Sequence, residues 1–378
     1  MFDLSNLVRK EVLLLLAIKP PGKKVELDHI IEKVSRDTKA SKNEIISALK
    51  ELISEGLARR VEDKYIVTEE GRKEAWKLRY DENLNLSYRL VLLARYYYPK
   101  VAHAILPFLK DRPVSVVKIF SDENDPIHKV KPIFSRYAKM KPKKYHFINT
   151  ERDLMRYVDM HAIDFIPYVH KVGQDYPDWL IIDIDAGDAI KDAGELGFRF
   201  IKRVTQEIYL TMREDLDLIP YIKFSGSRGF QIWVSLEKPI GKFDDYRKAV
   251  IEIRNLVEDR LKNKIDELRN EFGELVRSPI TTATVAKREE RKYQILLDWS
   301  SLKREGDVRA PFSMHYKTGL ISVPVAFDEL MSFTPEKAKV EVVAERVNDL
   351  IKYFEMKKSP TIKLEKIIGK GTLLAFFS

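Results

Sequence analysis

A short apolar run, Trp179-Leu-Ile-Ile, leads directly into Asp183-Ile-Asp185. Such a run is typical of a buried β-strand, and residues two apart in a strand point to the same face of the sheet. The two carboxylates therefore project together from a strand that needs a core around it. Burying two like charges is costly unless a cation compensates them, as a divalent metal ion does in many proteins. A strand cap or a loop anchor is the other interpretation of such a pair.

Runs with strand character continue through the chain after Tyr80 and alternate with amphipathic stretches, which is typical of an α/β or α+β domain. These runs are residues 115–120, 179–184, 219–224, 230–234, 294–297 and 320–323. The long charged stretch 243–276 predicts a helix or helix pair packed on the sheet, and another helix follows Pro335 and ends near Phe354.

Residues 1–80 have a different pattern. Apolar spacing predicts helices over 4–18, over 27–34 and from Ser41, where Glu44 completes a capping box. Gly56 fits a helix C-cap, and two short strands around Glu62-Asp63 form a hairpin. This order resembles a winged helix-turn-helix. In that interpretation the third helix and the basic pair Arg59-Arg60 contact DNA, whereas the alternative is a protein-docking or dimerisation module.

The composition narrows the chemistry. The 378-residue chain has a formal net charge of +9, which favours a polyanionic partner, and nucleic acid before lipid. It has no cysteine, which excludes disulfides, thiolate nucleophiles and cysteine-based zinc sites. No run approaches the roughly 20 apolar residues of a membrane span, and no signal peptide is evident, so we expect a cytoplasmic protein and no membrane partner. The many charged residues favour a high-temperature source.

Two further segments carry side chains suited to phosphate and metal. In Lys223-Phe-Ser-Gly-Ser-Arg-Gly-Phe-Gln-Ile-Trp-Val234 a glycine-rich turn between two strands offers backbone N–H groups, Ser225 and Arg228 to phosphate oxygens. A plain glycine hairpin is the alternative. The third segment supplies another carboxylate and two anion ligands: Asp298, Arg309 and His315.

Together, and in this order, the three segments resemble the archaeo-eukaryotic primase (AEP) superfamily. Asp183-x-Asp185 is similar to its metal pair, Ser225-Gly-Ser-Arg228-Gly229 to its nucleotide-phosphate motif, and Asp298 to its third metal ligand. The string Arg309-x-Pro-Phe-Ser-x-His315 resembles the signature of primase small subunits. Residues 92–99, 106–113, 178–185 and 323–330 are similar to the polymerase domain of end-joining DNA ligases. The resemblance covers roughly residues 85–335.

The winged helix-turn-helix predicted over 1–80 lies outside this resemblance, which implies a two-lobed AEP-like α/β polymerase domain over 81–356 and, with the winged helix, an α+β chain. The resemblance implies a template-directed, metal-dependent nucleotidyltransferase that serves priming, gap filling or end joining. Its partners would be DNA with a DNA or RNA primer and nucleoside triphosphates. Two Mg²⁺ or Mn²⁺ ions, about 4 Å apart, suit this chemistry. The catalytic and metal ligands would be Asp183, Asp185 and Asp298, and the nucleotide would be bound by Ser225, Arg228, Gly229, Gln231, Arg309 and His315.

One residue departs from the family pattern, which has histidine where this chain has Gln231. Glutamine can still hydrogen-bond a phosphate oxygen but carries no positive charge, so nucleotide binding would be weaker. The alternative is a catalytically weakened nucleic-acid-binding factor with a vestigial nucleotide site. The cysteine-rich zinc knob of the primase branch is impossible here, which favours a repair or accessory polymerase. An archaeal source is expected.

Two more segments predict contacts with partners. A basic loop with interleaved tyrosines, over 136–145, would hold template backbone or a terminal 5′-phosphate through Lys141, Lys143 and Lys144, unless it is a solvated loop. Residues 357–378 are expected to form a basic tether. Its tip, with Leu373, Phe376 and Phe377, resembles the box that binds the sliding clamp PCNA, although Lys370 stands where glutamine is usual. A last strand packed on the core is the alternative.

Overall fold

A computed structural model describes residues 4–283 and 290–375. The chain forms two compact units. The first unit comprises Met1–His103, Val116–Lys144 and Ile148–Phe165, and the second unit comprises Ala104–Ser115, Tyr145–Phe147 and Ile166–Ser378. The expected boundary at residue 80 is not one of the breaks between them.

The first unit opens with the helices and the hairpin that the sequence predicts there. The elements are α1 (Leu4–Ala17), β1 (Val25–Glu26), α2 (Leu27–Thr38), α3 (Lys42–Ser54), β2 (Ala58–Val61), β3 (Lys64–Val67) and α4 (Glu69–Lys77). The capping box forms at α3, where the Ser41 hydroxyl accepts a hydrogen bond from the Glu44 N–H at 3.3 Å and the Glu44 carboxylate accepts one from the Ser41 N–H at 2.7 Å. The strands form one antiparallel sheet in the order β1-β3-β2.

A buried carboxylate ties this opening stretch to the chain that follows. The Asp37 side chain is only 2% exposed and lies 2.9 Å from Arg36 Nε. It also accepts hydrogen bonds from Asn85 Nδ2, Tyr88 Oη and Ser121 Oγ at 2.8, 3.0 and 3.0 Å. A buried carboxylate is stable only when its oxygens are satisfied in this way. Residues beyond 80 therefore complete the core of residues 1–80.

The next elements are α5 (Leu86–Leu109), β4 (Val114–Ser121), β5 (Val130–Ser135), β6 (Tyr137–Met140), β7 (Lys143–Tyr145), α6 (Glu151–Asp159) and β8 (Ala162–Pro167). Strands β5, β4 and β8 form a three-stranded sheet in that order, and β6 pairs with β7. The prediction of a basic loop over 136–145 was therefore wrong. The segment is a two-stranded hairpin in which Tyr137–Met140 pairs with Lys143–Tyr145.

The second unit continues with β9 (Trp179–Ala186), α7 (Asp188–Asp192), α8 (Gly194–Leu210), β10 (Tyr221–Phe224), β11 (Phe230–Leu236), α9 (Phe243–Lys262), α10 (Ile265–Phe272), β12 (Thr281–Thr282), β13 (Ile295–Asp298), β14 (Pro324–Val325), α11 (Val340–Lys352), β15 (Lys358–Ser359) and α12 (Ile362–Ala375). Its sheet runs β12-β13-β9-β11-β10-β14, with β15 added beside β11. The stretch 243–276 is the expected helix pair.

Alternation along β9 gives the central sheet an apolar face and a face with carboxylates. Ile182 and Ile184 are fully buried on the face that α8 covers. There, Phe198 of α8 stacks at 5.6 Å on Phe230, the register partner of Ile184. Asp183 and Asp185 project from the opposite face. Packing of one face therefore fixes which way the carboxylates point.

Two expectations for the second unit were wrong. Residues 320–323, where a strand was expected, form only an isolated bridge at Ile321, and the strand β14 begins after them and is two residues long. The expected tether from residue 357 is β15, which pairs in parallel with β11, followed by α12. Leu364 of α12 is fully buried, so this segment packs on the unit. The side chain of Leu373 and all of Phe376 and Phe377 lie outside the described residues.

Within residues 4–283 and 290–375, no helix has both the length and the apolar character required to cross a bilayer.

Candidate active site

Four neighbouring strands place one row of polar residues across the face of the sheet that carries the carboxylates. In register, Lys223 lies opposite Gln231, Gln231 opposite Asp183, and Asp183 opposite Asp298. Side chains that oppose each other in this way point to the same face, with Cβ atoms about 4.5–5.5 Å apart. The fold therefore brings Asp298 directly beside Asp183, although the two are far apart along the chain.

The charges around Asp183 are unbalanced. Withdrawal from water, followed by the negative charges of Asp185 and Asp298, raises the pKa of Asp183 from its ordinary value of 3.8 to about 6. A hydrogen bond from Gln231 and the charge of Lys223 lower this pKa but do not offset the rise. The cluster therefore carries more negative charge than its neighbours compensate. An all-oxygen donor set with excess negative charge suits Mg²⁺ or Mn²⁺, so these residues fit the ions that the resemblance implies.

Asp185 is held by a lysine that the sequence interpretation missed. Lys191 Nζ lies 2.6 Å from Asp185 Oδ1, and the lysine side chain is only 8% exposed. Across the described ranges, no three carboxylate or imidazole groups are gathered closely enough to ligate one ion as they stand. A metal ion at Asp185 would have to displace this ammonium group. The sequence signal is weak, because Lys191 lies in a five-residue helix after the strand.

The glycine-rich turn between β10 and β11 is built around Ser225. Its hydroxyl accepts hydrogen bonds from the backbone N–H groups of Gly229 at 3.2 Å and Ser227 at 3.4 Å, so it shapes the turn from within. A Cβ on Gly229 would lie 2.3 Å from the Ile184 carbonyl oxygen, so only glycine allows the turn to lie this close to β9. Arg228 is exposed at the tip.

The segment after β13 braces this turn. Arg309 Nη1 donates a hydrogen bond to the Ser225 carbonyl oxygen at 3.0 Å. His315 Nδ1 accepts hydrogen bonds from the backbone N–H groups of residues 317 and 318, both at 3.3 Å. Because Nδ1 is an acceptor, the neutral ring carries its proton on Nε2 and presents an N–H donor there.

A cavity of about 480 Å³ joins these parts of the second unit. Its lining includes Asp183, Asp185, Arg228, Gln231, Arg309 and His315. Ser225 and Gly229 also line it, whereas Asp298 adjoins it through its pairing with Asp183. The cavity thus has carboxylates on one wall and guanidinium, imidazole and backbone N–H donors on the other. That arrangement can hold cations and a polyphosphate side by side.

Gln231 and Lys223 lie in the same row of the sheet as Asp183 and hold the carboxylate side of the cavity in place. The Gln231 amide hydrogen-bonds Asp183, and its oxygen accepts a hydrogen bond from Trp233 Nε1 at 3.2 Å. The predicted phosphate contact of Gln231 thus has two competing partners. Lys223 is fully buried, and its Nζ donates a hydrogen bond to Ser322 Oγ at 2.6 Å. Its place between two apolar residues of a strand, facing the same way as Gln231, was the available sequence signal.

The remaining candidate residues with described side chains lie in the first unit. Arg59 and Arg60 are exposed on β2, and Arg60 Nε donates a hydrogen bond to the Glu62 carbonyl oxygen at 2.8 Å. The exposed lysines of the β6–β7 hairpin are Lys141, Lys143 and Lys144. Lys143 Nζ lies 5.1 Å from the centre of the Tyr137 ring.

Comparison with known proteins identifies the family. The model of the family described as "LigD, primase-polymerase domain" matches residues 93–354, more than half of the chain. The chain belongs to this family. LigD primase-polymerase domains are AEP-type, metal-dependent nucleotidyltransferases of DNA repair and end joining. None of the curated proteins matches this chain.

A solved structure agrees with this LigD-type fold. The polymerase domain from Mycobacterium tuberculosis ligase D in complex with DNA superposes with a TM-score of 0.51 at 15% sequence identity. The match covers 68% of this chain and 91% of that domain. At this identity the likeness concerns the fold. The region that matches the family model contains Asp183, Asp185 and Asp298 and the glycine-rich turn 225–229.

Proposed function

We propose that this LigD-type primase-polymerase domain extends the 3′ end of a nucleic acid by template-directed nucleotidyl transfer, as in priming, gap filling or end joining. The observation that carries the proposal is the meeting of Asp183, Asp185 and Asp298 on one sheet face beside the turn 225–229. In this reaction the 3′ hydroxyl gives up its proton to water, and its oxygen bonds to the α-phosphorus of a nucleoside triphosphate. The bond from that phosphorus to the pyrophosphate breaks, and pyrophosphate leaves.

Each part of the cavity has a role in this reaction. Asp183, Asp185 and Asp298 would hold two Mg²⁺ or Mn²⁺ ions. When bound, such ions stabilise the attacking and the leaving oxygen. Arg228 at the tip of the turn, Arg309 and His315 bind the triphosphate through charge and N–H donors.

The glycine-rich turn and the adjacent row of polar strand residues position the carboxylates and the phosphate-binding groups. Ser225 holds the turn closed, and Gly229 lets the backbone N–H groups of the turn lie next to β9. Gln231 orients Asp183 by a hydrogen bond and lines the nucleotide cavity. The nucleotide thus meets a surface that is largely formed before it binds.

The test is extension of a labelled primer annealed to a template, with Mn²⁺ and with either ribo- or deoxynucleotides. The native chain should give product, and Asp183→Ala with Asp185→Ala, or Asp298→Ala alone, should reduce the rate by at least about 100-fold because transition-state charge is no longer stabilised. Asp259→Ala, which removes an exposed carboxylate paired with Lys262, is the matched control. Equal product from the double variant, from Asp298→Ala and from the control would refute the proposal.

A second candidate is a nucleic-acid-binding factor whose nucleotide site no longer catalyses. It is favoured by Gln231, which hydrogen-bonds Asp183 and Trp233, and by Lys191, which already neutralises Asp185. A native chain that binds primer-template and a fluorescent nucleotide but gives no product at any Mn²⁺ concentration would establish this candidate over the first.

The opening elements of the first unit support a DNA-contacting role. Three helices and a three-stranded sheet, in the order α1-β1-α2-α3-β2-β3, are typical of a winged helix-turn-helix, in which α3 and the Arg59-Arg60 strand would meet DNA. Both arginines are exposed. Arg59→Ala with Arg60→Ala should weaken DNA binding and flatten its salt dependence, as measured by fluorescence anisotropy at several salt concentrations. Unchanged affinity would favour a docking or dimerisation module.

For the chain end we propose binding to the sliding clamp PCNA through Leu373, Phe376 and Phe377. The support is the sequence pattern of one aliphatic residue followed by two adjacent aromatic residues. Phe376→Ala with Phe377→Ala should abolish capture by immobilised clamp, and retention of capture would rule the motif out.

A further inference from the structure

The first unit contains a cavity that the proposed polymerase reaction does not use. Its volume is about 220 Å³. Apolar side chains form part of its wall: Leu15, Ile18 and Phe120. The rest of the wall is dominated by basic side chains from α1 to α2 and from the turn before β8: Lys19, His29, Lys33, Arg36 and His161. Only residues of the first unit line it.

The basic groups outnumber the acids that could neutralise them. Asp37 is already engaged by Arg36 Nε, Asn85, Tyr88 and Ser121. Glu32 pairs with Lys33 at 3.1 Å from an exposed position. Among the described residues, no carboxylate forms an ion pair with Lys19, His29 or His161. Lys19 Nζ instead lies 3.5 Å from His29 Nε2, another basic group.

This arrangement opposes protonation of Lys19 and His161. Burial, and then the charges of Lys33, Lys23 and Arg95, lower the pKa of Lys19. Burial, and then the charges of Lys19, Arg95 and Lys118, lower the pKa of His161 from 6.5 to about 4. His161 is therefore uncharged near pH 7, and the groups that would attract an anion into this cavity are Lys19, Lys33 and Arg36.

We propose that this cavity binds a phosphate group, either as free phosphate or as a phosphomonoester. A phosphate dianion offers several oxygens to the ammonium groups of Lys19 and Lys33 and to the guanidinium of Arg36, whose Nε alone is used by Asp37. Lys33 and Arg36 each keep N–H donors beyond those used by Glu32 and Asp37, so a phosphate beside Lys19 can accept hydrogen bonds from all three side chains. The site is new relative to the LigD family match, which begins at residue 93, because four of its five basic residues precede that point.

Phosphate binding should be measured on the full chain carrying Arg228→Gln, which weakens the proposed triphosphate site in the second unit. The probes are inorganic phosphate, acetate as a monovalent control, and one oligonucleotide with a 5′-phosphate or a 5′-hydroxyl. Calorimetry gives affinities, and thermal melting gives the stabilisation that a ligand confers on the folded state. The variants are Lys19→Gln and the more exposed Lys33→Gln, compared with Lys73→Gln, an exposed lysine of α4 that pairs with Glu69.

We expect phosphate, but not acetate, to raise the melting temperature. Lys19→Gln and Lys33→Gln should each weaken phosphate binding about tenfold or more, because each removes a charge-assisted contact. Without phosphate, Lys19→Gln should melt no lower than the native chain, since it relieves repulsion. If the loss appears only with the 5′-phosphorylated strand, the ligand is a strand end; if it also appears with inorganic phosphate, a free phosphate suffices. Equal phosphate affinity in Lys19→Gln, Lys33→Gln and Lys73→Gln overturns the proposal, and primer extension by the native chain is judged separately.

Discussion

At the scale of single residues, the surroundings of Asp183 make a prediction about stability. Its pKa is raised from 3.8 to about 6, first by burial and then by Asp185 and Asp298. A carboxyl group whose folded pKa is raised supports the fold below pH 4 and loses that contribution as pH rises through 6. Asp183→Asn should therefore stabilise the metal-free protein at pH 7, by on the order of 1–3 kcal/mol.

The measurement is urea unfolding at pH 7 with a chelator and then with Mn²⁺. The native chain should gain stability with Mn²⁺, and Asp183→Asn should gain little, because it lacks one charged ligand. Asp259→Asn on the exposed face of α9 should behave as the native chain in both conditions. A metal-free Asp183→Asn protein that is less stable than the native chain would show that the carboxylate is already compensated.

The sequence predicted that the three aspartates lie together, but it did not predict all the side chains that contact them. The shared face of Asp183 and Asp185 followed from strand alternation, whereas the place of Asp298 beside them was expected from the resemblance to the AEP superfamily. The partner of Asp185 was missed, because Lys191 is placed by the turn of α7 and not by periodicity. The hydrogen bonds of Gln231 to Asp183 and Trp233 depend on register between strands, which a single sequence does not reveal.

At the scale of elements, α12 shows where composition misleads. Lysine-rich residues from 357 onward have the composition of a tether, yet Leu364 is fully buried and α12 packs on α9. Leu364→Ala should cost about 2–5 kcal/mol of unfolding free energy. Gly369→Ala, at a helical position with open space around its Cα, should stabilise by about 0.5–1 kcal/mol. Urea unfolding measures both changes.

A flexible tether would show neither effect. If both substitutions left the unfolding free energy unchanged, the packed helix would be contradicted.

Composition and local pattern were also insufficient at the hairpin β6–β7 and at β14. Their pairing is decided by partner strands, and a local pattern can only indicate that a segment is extended or polar. Long periodic segments were predicted correctly, as at α3, α9 and β9, because there the local pattern and the packing agree.

At the scale of the whole molecule, the expected separation of residues 1–80 conflicts with the buried polar groups of the first unit. Asp37 of α2 is held by Asn85, Tyr88 and Ser121, and the backbone N–H of Asn85 donates a hydrogen bond to Glu11 Oε1 at 2.6 Å. A sequence predicts a domain boundary from a change of pattern. It does not reveal which buried groups are satisfied across that change.

Glu11 of α1 makes this coupling measurable. It is 3% exposed, and its Oε2 has no hydrogen-bond partner among the described residues. Burial raises its pKa from 4.5 to about 8; the Asn85 N–H opposes the rise, and the charges of Asp37 and Asp81 add to it. Between pH 4.5 and 8 the folded chain retains a proton that the unfolded chain has lost, so stability falls as pH rises through this window.

Glu11→Gln keeps an uncharged side chain at every pH. Its unfolding free energy, measured in urea from pH 5 to 9, should match that of the native chain near pH 5 and exceed it above pH 8. Parallel pH profiles for the two proteins would show that Glu11 is ionised in the folded state and that water reaches it.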